Sequence, residues 1–184
     1  MKAAFTLAAL SGSLVAAGDY FGVISARSAS PIHLLPMNAG RGRIYLGGTA
    51  DTFCPDSVAS AGGCPPTTGE TNFLVGNAAT GTLVMGAEVP GGQYVYIDTC
   101  GAVKYTVAHS GTIPEGATQT GWSVTQGASF GTLNWKGGLM ACNEDNTWFV
   151  YGVQTDSPVP DTCLTFDALT SNQTEPDAWQ YTTA

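Results

Sequence analysis

Seven of the fourteen acidic residues are candidates for general acid–base catalysis. They are Glu88, Asp98, Glu115, Glu144, Asp145, Asp156 and Asp161. A glycoside hydrolase needs two carboxylates about 5 to 10 Å apart, one of them with a raised pKa. None of these residues lies in a recognisable catalytic motif, and any acidic chain would offer as many. We therefore expect no catalytic residue and keep a glycoside-active enzyme only as an alternative.

The chain also lacks a clear motif for metal or nucleophilic chemistry. His33 and His109 are distant in sequence, and neither lies in a motif such as HExxH. Ser110 lacks the glycine two residues earlier that a GxSxG elbow requires. Residues 143–146 place four oxygen-bearing side chains in a row, and calcium binds oxygen ligands, but adjacent side chains do not all converge on one ion. We interpret this segment as a solvated acidic turn and expect no metal and no cofactor.

The first 17 residues are typical of a secretory signal peptide. One basic residue, Lys2, precedes an uncharged apolar stretch from Ala3 to Val15, which ends in small residues. A membrane-spanning helix would need about 20 continuous apolar residues, and this run is shorter and is interrupted by residues 11–13. We expect cleavage near Ala17 and a secreted protein that is extracellular or held in a cell wall.

The charge of the chain argues against several classes of partner. Loss of residues 1–17 would remove one of six basic residues and no acidic one, changing the net charge from −8 to about −9. Nucleic acids and anionic membranes are bound mainly through Lys and Arg, so neither is expected as a partner. Only 11% of the residues are charged. A surface of mostly uncharged polar groups suits a glycan-rich wall. A glycolipid anchor signal would need a hydrophobic C-terminal tail, and the last residues are polar, so no lipid anchor is expected.

Five cysteines in a secreted chain predict disulfide bonds, with one thiol left over. Cys142 and Cys163 flank the acidic turn and a strand-like segment, and they are the first predicted pair. Cys54 with Cys64 is the second, leaving Cys100 free. Pairing of Cys64 with Cys100 is the alternative, and spacing alone does not decide between them.

Short alternating apolar segments separated by glycine-rich turns predict an all-β protein: a single-domain antiparallel β-sandwich or barrel with disulfide staples. About eleven strands are expected between residues 20 and 153, including one over residues 31–37. A short helical turn is allowed only near residues 165–170. We assign 1–17 to the signal peptide, 18–163 to the β-domain and 164–184 to a polar C-terminal tail.

Alternation also separates core aromatic residues from those that could contact a ligand. Trp122 and Trp135 lie on the apolar faces of their segments and are expected in the core. Tyr94, Tyr96 and Trp179 are the candidate glycan-binding residues, since exposed aromatic rings stack on sugar C–H surfaces. The predicted tail contains one N-glycosylation sequon, at Asn172.

The order of the short motifs resembles a known family, the fungal secreted cell wall proteins related to PhiA. This family is associated with phialide and conidium development and includes fungal allergens. The resemblance covers roughly residues 20–163. The segments that carry it are YFGVISARSAS, RIYLGG, TNFLV with TLVMGA, QYVYID, GWSVTQ, TLNWKG, LMAC and TWFVYG.

The resemblance implies a β-domain without established catalytic residues and implies pairing of Cys142 with Cys163. A family cysteine corresponds to Cys64, but its usual partner near the mature N-terminus is missing here, and Cys54 and Cys100 are additions. The function expected is a non-enzymatic, wall-associated protein with a structural or developmental role, whose partners are wall polysaccharide or other wall proteins. A carbohydrate-binding module and a secreted effector or allergen are the alternatives.

Overall fold

The computed structural model of the chain describes residues 20–125, 127, 130–153 and 159–184. This part contains fourteen β-strands and one five-residue helix, α1 (Asp56–Ser60). The strands are β1 (Tyr20–Ala26), β2 (Met37–Gly40), β3 (Arg43–Leu46), β4 (Thr52–Phe53), β5 (Asn72–Asn77), β6 (Thr82–Met85), β7 (Val95–Ile97), β8 (Val103–Tyr105), β9 (Trp122–Thr125), β10 (Gly131–Trp135), β11 (Leu139–Glu144), β12 (Thr147–Gly152), β13 (Cys163–Gln173) and β14 (Gln180–Tyr181). The expected signal peptide, residues 1–17, lies outside the described residues.

Twelve of these strands belong to one antiparallel sheet, and β13 is its central strand. β1 pairs with one side of β13, while β10 and β11 share the other side. From β13 the sheet continues through β1 and β5 to β6 in one direction, and through β11, β12, β3 and β8 to β7 in the other. β4 and β14 form a separate pair. The expected all-β antiparallel fold is confirmed.

The two ends of the large sheet approach each other. Val84 of β6 forms an antiparallel bridge with Tyr94, and the Met85 N–H donates to the Gln93 carbonyl at 2.9 Å. The curvature encloses one apolar core, although the strand pairing of the described residues does not close into a barrel. No helix in that part of the chain is long and apolar enough to span a membrane.

Both predicted core tryptophans are buried. Trp122 and Trp135 are 5% and 4% exposed, and they are directly paired across β9 and β10. Gly152 lies against Trp135, where an added Cβ would come within 2.7 Å of the indole ring and 2.5 Å of Ile97 Cδ1. The glycine therefore allows β12 to pass close to the core indole.

Two local predictions were wrong. Residues 31–34 form turns rather than a strand, and Pro36 forms an isolated antiparallel bridge with Ile24 before β2 begins. Ser25 within β1 stabilises this segment by donating its hydroxyl to the Ile32 and Leu35 carbonyls. Ile32 is fully buried, so its apolar character reflects packing in a turn. The helical turn allowed at 165–170 is part of β13, and the one helix in the described chain, α1, lies between β4 and β5.

The division into a domain and a C-terminal tail was also wrong, because residues 164–184 complete the sheet and its core. Residues 164–173 belong to β13, and Tyr181 is 1% exposed. The fully buried Gln93 side chain accepts from the Tyr181 N–H at 2.8 Å and donates to the Tyr181 carbonyl at 3.0 Å. The Tyr105 hydroxyl donates to the Thr182 carbonyl. The last residues are thus held by buried hydrogen bonds.

Two disulfides are present in the structure. Cys142 and Cys163 are direct partners across β11 and β13, with Cα atoms 4.0 Å apart. Cys54 and Cys64 enclose α1, with Cα atoms 6.1 Å apart. Cys100 is an exposed free thiol, so the alternative pairing with Cys64 is not formed.

Candidate functional site

A row of aromatic and basic side chains lies on the outer face of the sheet, across β12, β3, β8 and β7. In β3, Ile44 and Leu46 point into the core, so the alternation turns Arg43 and Tyr45 outward. The same alternation turns Phe149 of β12 outward, where it is paired with Tyr45. Lys104 of β8 is the partner of both Arg43 in β3 and Tyr96 in β7.

Arg43 is at the centre of this face. Its guanidinium forms two parallel hydrogen bonds to the Glu144 carboxylate, at 2.9 and 3.0 Å, and a third to the Tyr151 hydroxyl at 2.8 Å. Arg43 Cζ lies 3.6 Å from the centre of the Phe149 ring, which is a cation–π contact. A guanidinium held by a bidentate ion pair and an aromatic face is fixed in position.

The β11–β12 hairpin brings Glu144 to this position. Asp145 and Asn146 both have positive φ angles, 49° and 66°, as a tight two-residue hairpin turn requires. The turn is therefore only partly the solvated acidic segment expected from the sequence, because Glu144 folds back onto Arg43. Among the described residues, no group of three or more His, Cys, Asp or Glu side chains could hold a metal ion.

Two adjoining cavities form a groove on this face, which we call the outer groove. The first, about 400 Å³, is lined by Gly40, Arg41, Arg43, Tyr45, Thr49, Asp51, Thr147 and Phe149. The second, about 590 Å³, is lined by Arg41, Gly42, Arg43, Tyr96, Lys104, Tyr105, Thr106, Val107, Thr112, Ile113, Pro114 and Thr183. Arg41 and Arg43 belong to both, so the two cavities adjoin at these two arginines.

A second ion pair lies at the far side of the groove. Lys104 Nζ is 2.7 Å from Asp98 Oδ2, and Asp98 Oδ1 accepts the backbone N–H groups of Cys100 and Ala102 at 2.9 Å each. Burial acts to raise the pKa of Asp98, but the hydrogen bonds from Lys104 and the backbone outweigh it and leave the pKa lowered. The hydrogen bond from Arg43 lowers the pKa of Glu144. Both carboxylates are thus held in the ionised form.

These lowered pKa values predict a loss of stability in acid. A carboxyl with a lowered pKa in the folded state stabilises fully above its ordinary value and loses that contribution as the pH falls through the lowered value. The ordinary values are 3.8 for Asp98 and 4.5 for Glu144. We expect the Asp98→Asn/Glu144→Gln variant to melt about 2–4 °C lower than the wild type at neutral pH, since exposed pairs contribute little.

The measurement is a series of thermal melts from pH 7 to pH 2.5. The difference between wild type and variant should be constant at neutral pH and shrink once the pH falls below about 4.5. A difference that stayed constant down to pH 2.5 would contradict the assignment of both ion pairs.

The three predicted glycan-binding residues lie in different places. Tyr96 is half-buried on the outer face and lines the groove. Tyr94 is half-buried just before β7, and its ring faces Gly111, whose added Cβ would lie 3.7 Å away. Trp179 lies before β14, where its carbonyl accepts the Val89 N–H at 2.9 Å. Of the three, Tyr96 alone lines the outer groove.

The remaining sequence candidates contribute little to this face. Glu88, Glu115, Asp145 and Asp161 are exposed, and Asp156 lies outside the described residues. His33 Nδ1 accepts the Arg27 N–H at 3.3 Å, and His109 Nδ1 is 2.8 Å from the Pro90 carbonyl. The sequence interpretation missed Arg43, Tyr45 and Phe149. The alternation in RIYL was the signal that could have found the first two.

Asn172 is exposed near the end of β13, and Thr174 of its sequon is exposed as well. We expect material secreted by a fungal host to carry an N-glycan at this position, since the acceptor amide is open to solvent. Intact mass before and after enzymatic deglycosylation tests this, with Asn172→Gln as the control. An unchanged mass of the wild-type chain would contradict it.

Comparisons with known proteins agree with the motifs of the sequence. A family model described as "PhiA-like secreted protein" matches residues 21–182. An "uncharacterized secreted protein" of Arthroderma benhamiae is 33% identical over 167 residues, covering 80% of this chain and 78% of the relative. No solved structure matches. The match extends past Cys163 to residue 182, in accord with the packing of the C-terminal residues. The chain is a secreted protein and belongs to the PhiA-like family.

Proposed function

We propose that this protein is a non-enzymatic component of the fungal cell wall with a structural or developmental role. The observation that carries the proposal is the outer groove, which combines aromatic side chains with cations that are already paired to carboxylates. Aromatic surface with a few fixed polar groups is typical of a site that holds a ligand. Membership of a secreted family supports the extracellular setting.

The state of the groove carboxylates favours binding over catalysis. A general acid in glycoside hydrolysis needs a raised pKa, so that it keeps a proton to donate. Glu144 and Asp98 have lowered pKa values because Arg43 and Lys104 hold their ionised forms. Hydrogen-bonded ion pairs position the side chains that line the groove and offer no proton for transfer.

Fractionation of a fungal culture that secretes the full chain tests wall association. We expect part of the protein to remain with washed cell walls in buffer of moderate salt and to be released when the wall polysaccharide is digested. A secreted protein of similar size and charge from the same culture serves as the control. Recovery of the whole protein from the medium, with none bound to washed walls, would overturn the proposal.

A further inference from the structure

We propose that the outer groove binds a neutral glycan chain, which lies across the strands and stacks sugar rings on Tyr45 and Tyr96. The inference rests on the proposed wall association and adds the ligand class and its position. It depends on the shape of the groove, its exposed apolar surface and its balance of charge.

The shape of the groove fits a chain rather than a single small molecule. Its two cavities run from Phe149 on β12, over β3 and β8, to Tyr96 on β7. Neighbouring strands are about 4.8 Å apart, so these four strands span roughly 14 Å. Both cavities open to solvent, so a polymer can reach them from outside the protein.

The apolar part of the groove suits the C–H faces of sugar rings. Tyr45 packs edge-on against Phe149, with ring centres 6.3 Å apart, and its hydroxyl donates to the Thr49 carbonyl at 2.5 Å. On the other side, Tyr96 and Val107 line the second cavity, and Val107 is 55% exposed. A ring held in place, as that of Tyr45 is, offers stacking surface at little cost in conformational entropy.

The charge of the groove favours a neutral ligand. Arg43 and Lys104 are each within 3 Å of their own carboxylate, at 2.9 and 2.7 Å. The third cation, Arg41, shares the first cavity with Asp51. An anionic polymer would have to displace these carboxylates, and the whole chain carries a net charge of −8. The exposed guanidinium of Arg41 can instead donate hydrogen bonds to hydroxyl oxygens.

Isothermal titration of the secreted full chain tests the inference with three probes. They are a β-1,3-linked glucose hexamer, a chitin hexamer and a polygalacturonate oligomer of equal length. The first two separate glucan from chitin as the source of the neutral chain, and the third is the anionic control. The variants are Tyr45→Ala and Tyr96→Ala, with Phe130→Ala as the control because Phe130 is 56% exposed and lies outside the groove.

We expect at least one neutral hexamer to bind, and we expect each tyrosine variant to bind about tenfold more weakly while the Phe130 variant binds as the wild type does. Within the described residues the Tyr96 side chain makes no hydrogen bond, so the Tyr96→Ala variant should fold normally, and matching thermal melts would establish that. Equal affinity in all variants, no binding of either neutral hexamer, or tighter binding of polygalacturonate would overturn the inference. So would concentration-dependent self-association that the tyrosine variants abolish, since a second copy would then occupy the groove.

Failure of this inference is distinguishable from failure of wall association. If washed walls retained the tyrosine variants as well as they retain the wild type, wall association would stand and the groove would not be the site. If walls retained none of the wild type, the proposed function itself would be wrong.

Discussion

Replacing Tyr181 with alanine is expected to lower the free energy of unfolding by about 3–5 kcal/mol, a large part of the stability of a domain of this size. Tyr181 is 1% exposed, and its ring packs edge-on against Tyr105 at 6.4 Å. Its hydroxyl accepts the Asn72 N–H at 3.2 Å. Alanine would leave a cavity between β14 and the large sheet and remove the acceptor of a buried N–H.

Tyr181→Phe is the matched control, because it keeps the ring and removes only the hydroxyl. We expect it to lose about 1–3 kcal/mol, the usual result of leaving one buried N–H unsatisfied. Denaturant unfolding of both variants, followed by tryptophan fluorescence, gives the two values. Equal and small losses would show that the C-terminal residues are not part of the cooperative core.

Removing the Cys142–Cys163 disulfide is expected to cost about 3 kcal/mol, mainly because the unfolded chain gains freedom. The bond closes a separation of 21 residues and joins β11 to β13, two neighbouring strands of the large sheet. Cys142→Ser/Cys163→Ser is the variant, made in a Cys100→Ser background so that the free thiol cannot exchange with the remaining bond.

The control is Cys54→Ser/Cys64→Ser in the same background. That bond closes a separation of 10 residues around α1, which has no buried residue. Its loss should let this loop open locally, with a smaller effect on global unfolding. Denaturant midpoints that fell equally for both pairs would contradict the central role given to Cys142–Cys163.

The strand pattern and the core tryptophans were predictable from sequence because alternating large residues leave a strong signal. TLNWKG and GWSVTQ place Trp135 and Trp122 on apolar faces, and both are buried. The same rule failed for β13, the central strand. Phe166 is the one large side chain on its buried face, which continues with the small Ala168 and the polar Thr170, so the alternation is weak and the segment was interpreted as a tail. β13 is central because β1 pairs with one of its edges and β10 and β11 with the other, and its own side chains do not indicate this.

The outer groove was only partly predictable. Tyr96 was named from alternation in QYVYID, and Tyr45 could have been named in the same way. The pairing of Arg43 with Glu144 joins residues 101 positions apart, and it depends on strand order and register. A single sequence gives no strand order, so it could not show that Glu144 at the edge of the turn would bind an arginine of another strand.

Co-sedimentation with insoluble β-glucan and chitin tests most directly whether the outer groove attaches this secreted protein to wall glycan. The samples are the wild-type chain, the Tyr45→Ala/Tyr96→Ala variant and the Phe130→Ala control at equal concentration. The account predicts that the wild type and the control are found in the pellet with at least one of the two polymers, while the double variant remains in solution. Equal pelleting of all three proteins, or no pelleting of the wild type with either polymer, would contradict it.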